Sequence, residues 1–473
     1  MNESQLSNGD TLSPAAALAI QSVSDVERKI SRKKLLYTSY VIAVLMLAYT
    51  FSFIDRQILS LLVEPMKKDL QINDTQMSLL QGLSFAIFYT IMGLPLGRMA
   101  DSHSRRGLIA WGVGLWSCMT AFCGMVSNYW HLFLARMGVG VGEAALSPAA
   151  YSLIADTVDK RHLGTAISIY SMGIYLGAGL ALIVGGLVIQ WANGVGNIVL
   201  PLIGEVFAWQ LVFLCVGLPG LLLVPLMFTI KEPPRKRMAS QLQLAQQPQQ
   251  APLSAVVQYF KNHRKTILCH NLGIAFASLA GYGTLAWAPT FLIRNHDLTG
   301  GQTGLYFGII VLIFGGGGVI SGGWMADRWG RKGCQDAKMR VACIGALCGA
   351  VPALLYPLMG SLSLVLVLLC MATFFNNFML GVGPAAIQEV VPSNMRGQFS
   401  ALYLFIVNLI GLGLGPTAVA LCTDYLFADS SRINYSLALV PTTALLCSAT
   451  LSYLCLRHFR DSVNALQASE TTQ

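Results

Sequence analysis

Apolar residues run along this chain in blocks of roughly 20, the length an α-helix needs to cross a bilayer, separated by short polar or basic connections. Six blocks fall at about 36–62, 77–99, 107–127, 130–155, 164–190 and 206–229, and six more at about 266–292, 303–326, 340–359, 362–390, 398–422 and 435–456. Several contain Gly and Pro, which membrane helices tolerate where neighbouring helices satisfy the freed backbone groups. The pattern predicts an all-α integral membrane protein of twelve transmembrane helices, arranged as six-helix bundles at 35–230 and 265–457. Residues 1–34 are expected to form a disordered tail, 231–264 a polar linker with an amphipathic membrane-surface piece, and 458–473 a second tail.

The two halves share a signature. Gly97-Arg-Met-Ala-Asp101 leads into Arg105 and Arg106, and Gly323-Trp-Met-Ala-Asp327 leads into Arg328, Arg331 and Lys332, each at the end of an apolar run and about half a chain apart. Such duplication is typical of secondary transporters. Hydrophobic residues make up 54% of the chain and charged residues 11%, which excludes an ordinary soluble domain.

The net charge of +9 speaks for orientation and not for nucleic acid. Positive residues stay on the cytoplasmic side during insertion. Arg28, Lys29, Arg32, Lys33, Lys34, both signature loops, the linker, Arg396, Arg457 and Arg460 then lie inside, and Lys67, Lys68, Arg294 and Arg432 outside. Both termini are predicted to be cytoplasmic, in a plasma (inner) membrane protein that works as a monomer. The polar start of the chain shows no cleavable apolar stretch and reads as a tail, not a signal peptide.

Enzymatic chemistry has no foothold. His131 and His270 are isolated, no P-loop or nucleophile–base spacing occurs, and the 11 cysteines form no C-x-x-C pair. No metal, cofactor or disulfide is expected.

A charge near the bilayer centre costs on the order of 3 kcal/mol, so each needs a partner or a wet cavity. Four lie deep: Asp55 and Arg56 in the first run, Arg136 and Glu143 in the fourth. Arg136 and Glu143 are two helical turns apart and share a face. Burial and a nearby guanidinium act oppositely on a carboxylate, so an anion that occupies the Arg makes the acid's proton negotiable. Glu143 is read as the proton site, with Asp55 beside it, and Arg136 as the anion clamp. The alternative is that these residues neutralise one another and hold the first and fourth helices together.

The second half has no deep charge. Tyr282, Trp287, Tyr306, Phe374, Phe375, Asn376, Asn377, Tyr403 and Asn408 are its candidate cavity residues, an aromatic wall suited to an amphipathic molecule. Gly138, Gly140 and Gly142, and Gly411, Gly413 and Gly415, point to close helix packing, and Gly315 to Gly318 to packing or to bending during gating. Glu389 is read as a gate residue paired with the basic loop after the eighth run.

With these residues in hand, the chain resembles the major facilitator superfamily over residues 36–456. Its cytoplasmic signature is complete at Gly323 to Lys332, while the first copy has Ser102 and Ser104 in place of Arg and Gly. The resemblance implies that Asp101 and Asp327 cap a neighbouring helix and bridge to basic residues, locking an outward-open state, with a weaker lock in the first copy. Arg105, Arg106, Arg328 and Arg331 are gating residues on this basis. Arg136, Gly140 and Gly142 fit the family's fourth-helix pattern. Gly164, Gly173 and Gly177 keep the spacing of its proton-exchanger signature, but Ala178 and Ala181-Leu182 depart from it, so antiport of a drug-like cation is not implied.

More narrowly, Ile54-Asp55-Arg56, Arg136 through Glu143-Ala144, Met172-Gly173 with Gly177, Gly217-Leu218-Pro219-Gly220 and Asn408 through Pro416 resemble the Spinster branch. That resemblance implies transport of lysophospholipid or sphingosine-1-phosphate and functional roles for Asp55, Arg136 and Glu143, with Arg56 participating. The expected function is proton-coupled transport of an anionic, lipid-like substrate by alternating access. A symporter of small organic acids and an uncoupled lipid carrier are the alternatives.

Overall fold

The structure, a computed structural model, describes residues 14–158, 162–195, 198–200, 204–233, 252–392 and 394–471, with 14–34 as backbone. Its first half contains helices Leu35–Leu61 (α1), Asp74–Ala100 (α2), Arg105–Cys123 (α3), the consecutive pair Tyr129–Glu143 and Leu146–Thr157 (together α4), Thr165–Ala192 (α5) and Ala208–Phe228 (α6). The second contains Arg264–His296 (α7), Gly300–Arg331 (α8), Ala337–Leu358 (α9), Leu362–Glu389 (α10), Arg396–Leu426 (α11) and Ser430–Ala468 (α12). Ten of these twelve are long and apolar enough by themselves to cross a membrane. The other two are α3, which opens on Arg105 and Arg106, and α4, which carries Arg136 and Glu143 and breaks at Ala144-Ala145.

Polar residues start the helices. Asn73 Oδ1 accepts from Gln76 N at 2.7 Å while Gln76 Oε1 accepts from Asn73 N at 3.1 Å, a reciprocal cap at the start of α2. Ser104 caps α3 and Asn128 caps α4 through N–H groups three residues on. Wide π turns interrupt α2 at Leu79–Leu83, α8 at Ile310–Gly315 and α11 at Asn408–Gly413.

Two boundaries and one added element differ from the sequence reading. Residues 14–34, expected as disordered tail, continue the first helix, which begins at Pro14. The last helix runs to Thr471 through most of the expected second tail. A short antiparallel hairpin, Ile198–Leu200 with Gly204–Val206, is a strand element in an otherwise helical chain. Residues 1–13 and 234–251 lie outside the described residues. The linker's amphipathic piece is the helix Leu253–Asn262.

The halves meet along α5 with α8 and α2 with α11. Glycine permits the first contact: a Cβ on Gly304 would stand 2.1 Å from the Leu182 carbonyl oxygen. The second is also close, with a Cβ on Gly82 falling 2.7 Å from the Leu412 oxygen, where the π turns of α2 and α11 touch. Gly318, in the run read as a possible bend, packs closely, since a Cβ there would stand 2.2 Å from the Phe374 oxygen, and it lies three residues beyond a π turn.

Candidate functional site: a buried charge cluster between two helix bundles

Ser52 and Arg56 are one turn apart on α1 and reach the same carboxylate. Glu143 Oε2 accepts from Ser52 Oγ at 2.6 Å, Arg56 Nε at 3.1 Å and Arg56 Nη2 at 2.5 Å. The guanidinium lies 4.5, 4.4 and 5.0 Å from the ring centres of Phe53, Phe85 and Tyr89, an aromatic box that favours a flat cation. Asp55, 100° round the helix, turns away and accepts from Thr120 Oγ1 of α3 at 3.0 Å.

Arg136 occupies a different position from the one its spacing suggested. Fully buried, it points to backbone oxygens, with Nε 3.4 Å from Leu80 O in the π turn of α2 and Nη1 3.4 Å from Asp55 O. Among the described residues Arg136 makes no ion pair with Glu143; Arg56 makes it. Glu143 Oε1, Asp55 Oδ1 and Arg136 Nη2 are buried without a hydrogen-bond partner among the described residues. Two acids and two bases thus share one buried region with bonding capacity to spare.

Arg56 also faces the space between the halves. A cavity of about 30 Å³ is bounded by Arg56, Gln57, Ser60 and Gln81 from the first half and by Tyr282 and Leu285 from the second. Gln57 Nε2 bridges the halves by donating to Leu285 O at 3.0 Å. Tyr282 also lines a larger, mostly apolar cavity of about 110 Å³, with Phe53, Tyr175, Phe307, Asn376 and Asn377. Tyr175 of α5 donates to Asn377 Oδ1 at 3.3 Å, again across the halves.

Six other residues read as cavity candidates line neither space, among them Tyr306, which is exposed, and Phe375, which packs on Phe374 and Phe378. Trp287 is fully buried and donates through Nε1 to Pro416 O at 2.8 Å. Phe374 packs on Phe375, Phe378 and the glycines of α8. Tyr403 is buried against His270. Asn408 opens the π turn of α11 and is half-buried.

The halves are tied at the face opposite the chain termini. Arg294 at the end of α7 donates to Glu64 Oε1 at 2.6 Å and to both oxygens of Asp74 at 2.8 and 2.9 Å, and Lys67 pairs with Asp74 as well. Asp424 Oδ2 accepts from the Thr75 N–H at 2.6 Å and its hydroxyl at 2.7 Å. On the terminal face the ion pairs among the described residues stay inside one half.

Those pairs include two of the expected gate residues, Arg105 and Glu389. Arg105 pairs with Asp156 and Glu232, and Arg106 donates to Ile230 O at 3.0 Å, so both hold the start of the linker. Glu389 pairs with Lys338 at the head of α9. Arg328 lies 5.4 Å from the Trp324 ring. Asp327 and Arg331 line the open mouth below the second half, with Lys338, Glu389 and Arg396. The side chain of Asp101 lies outside the described residues.

Burial pushes the Glu232 carboxyl up, but Arg105, the Ser104 hydroxyl and the N–H groups of Arg105 and Arg106 outweigh it and hold the group below its ordinary value. Its stabilising effect is therefore complete above the usual carboxylate range and lost as pH falls through the lowered value. Glu232→Gln is expected to destabilise the protein by on the order of 2 kcal/mol at pH 7. Thermal unfolding should show the gap to wild type closing in acid; a gap independent of pH would contradict the assignment.

Sequence reasoning passed over Ser52, Thr120, Gln81, Glu64, Asp74 and Asp424. Arg294 was the available clue, being a cation on the face otherwise poor in positive charge. A hydroxyl such as Ser52 leaves no comparable trace.

Two six-helix bundles meeting at a buried charge cluster and tied together at the face of Arg294 have the architecture of a membrane transporter. The chain belongs to the Major Facilitator Superfamily, whose family model matches residues 45–416. It is 26% identical over 424 residues to an MFS-type efflux pump of Mycolicibacterium smegmatis, covering 89% of this chain and 93% of that protein. It is 23% identical to a probable L-galactonate transporter of Escherichia coli (94% of each) and 24% identical to protein spinster homolog 1 of Bos taurus (83% and 74%). The fold matches a crystal structure of a bacterial homologue of the human lysosomal transporter Spinster, inward-facing and unoccupied, with TM-score 0.71 and 24% identity over 90% of this chain and 97% of that one.

Proposed function

We propose that this transporter couples protons to the movement of an amphipathic anion of the single-chain lipid type. One observation carries the reading: Arg56 is at once the partner of Glu143 and a wall of the cavity between the halves. An anionic head that engages Arg56 competes with Glu143 for the guanidinium. Glu143 and Asp55 each have one bonded and one bare oxygen, so a proton has a place on the bare oxygen when the counter-charge is withdrawn. Head binding and protonation are then linked, and each favours the other. The adjoining apolar cavity with Tyr282, Phe307 and Asn377 would take the tail.

In this reading the anion clamp is Arg56, and Arg136 braces α1 and α2 through their carbonyls. The Lys/Arg distribution supports cytoplasmic termini, so the face tied by Arg294 is the outer one. Similarity to a sphingosine-1-phosphate transporter of Mus musculus, 24% identical over 437 residues, supports the lipid class, and similarity to a probable L-galactonate transporter supports the second reading, symport of a small organic acid.

The test is reconstitution in liposomes with an internal pH dye, adding lysophosphatidylglycerol or sphingosine-1-phosphate in one arm and L-galactonate in the other. Substrate-dependent proton flux in the lipid arm, abolished in Glu143→Gln, is the expected result. Flux only with galactonate selects the second reading. Lipid movement without proton flux, unchanged in Glu143→Gln, makes the protein an uncoupled carrier.

A further inference from the structure

Away from both cavities, the linker rejoins the second half at a basic corner. The linker helix Leu253–Asn262 is pinned there: Tyr259 Oη donates to Val390 O at 2.5 Å, and its ring stacks on His263 with centres 4.3 Å apart and planes 23° apart. His263 Nδ1 in turn lies 3.2 Å from Ser462 Oγ of α12, and Thr266 of α7 bonds the same hydroxyl at 2.8 Å. The turn between linker and α7 is therefore held in place from two sides.

Behind it is a concavity of about 290 Å³, walled by Lys261, His263, Arg264, Lys265, His458 and Asp461. Three cations face one carboxylate. Among the described residues none of Lys261, Arg264 and Lys265 is in an ion pair, whereas Arg56, Arg105, Arg294, Arg340 and Arg460 all are. The 33-residue α7 begins at this point, and His263 gives its first-turn N–H groups no side-chain cap, so the positive end of the helix adds to the same field. Just along the helices toward the apolar zone, Leu268 is 40% and Leu454 53% exposed, forming a greasy strip beside the charged hollow.

We propose that this corner binds the phosphate of an anionic phospholipid, with the headgroup among Lys261, Arg264 and Lys265 and the acyl chains along Leu268 and Leu454. The chemistry is that of a basic pocket at headgroup level beside a lipid-facing helix surface. A carboxylate ligand alone would use the cations but not the strip; a free phosphate likewise. The bound lipid would clamp the linker helix to the second bundle. The site depends on the chain spanning a membrane and is independent of the substrate proposed above.

The experiment uses the purified full-length chain in detergent, with thermal unfolding and native mass spectrometry read against dioleoyl phosphatidylglycerol, dioleoyl phosphatidylcholine and inorganic phosphate. Phosphatidylglycerol should raise the Tm and remain bound, and the other two should not. In Lys261→Gln/Arg264→Gln/Lys265→Gln its apparent affinity should fall about 100-fold, three contacts at about fivefold each. Asp461→Asn removes the opposing charge and should strengthen binding severalfold, which guards against a triple variant that merely folds badly. Equal stabilisation of wild type and triple variant, or no gain in Asp461→Asn, overturns the proposal. Inorganic phosphate matching the lipid would also overturn it, by making this a free-anion site.

Discussion

Arg56→Ala is expected to lower transport by at least about 100-fold, because removing one partner of a buried pair costs about 3–5 kcal/mol and leaves Glu143 with Ser52 as its remaining donor. Initial uptake into proteoliposomes measures the first effect and thermal unfolding the second. A double variant separates clamp from counter-charge. If Arg56 only neutralises Glu143, then Arg56→Ala/Glu143→Gln regains stability and exchanges lipid, without a proton gradient, as well as Glu143→Gln alone. If Arg56 also holds the anion, the double variant regains stability while its exchange stays far below that of Glu143→Gln, which is the result expected here. Arg56→Lys should fall between, since an ammonium keeps the charge but cannot place two N–H groups on one oxygen while lying flat in the Phe53, Phe85 and Tyr89 box.

The second large effect concerns the closed face. Arg294 bridges Glu64 and the buried Asp74 across the halves, so Arg294→Ala removes the charge that joins them. A loss on the order of 3 kcal/mol would shift a two-state equilibrium about 100-fold toward separation of this face. Spin labels at Lys68→Cys and Arg432→Cys, in a background with the exposed native cysteines replaced, report the distance across it. A new, longer population in Arg294→Ala is expected. An unchanged distribution would mean that the α5–α8 and α2–α11 glycine contacts and the Asp424–Thr75 bonds hold the face without Arg294.

Both predictions rest on contacts between residues far apart in the chain, and that is where the sequence becomes hard to read. Arg136 and Glu143 look like partners because they share a face of α4, yet the π turn of α2 presents the Leu80 carbonyl to Arg136, and α1 brings Arg56 to Glu143. Helical spacing settles which side chains share a face. It does not say which neighbouring helix supplies a better donor. The same limit applies to the aromatic wall: Tyr282 and Asn377 face the cavity, while Trp287 spends its indole N–H on a backbone oxygen and Phe374 packs on α8. Composition cannot distinguish these fates, because an aromatic ring gains from burial in any of them.

The sequence by itself determined the class of protein: the twelve apolar runs, the two-fold repeat and the four deep charges all follow from what a bilayer permits residue by residue. It also marked the members of the charge cluster, since an ionisable side chain at that depth is too costly to be incidental. Tertiary structure alone decided the pairing within the cluster and the closed face at Arg294. Those depend on how close two helices come, which glycines such as Gly304 and Gly82 allow and on which local pattern is silent.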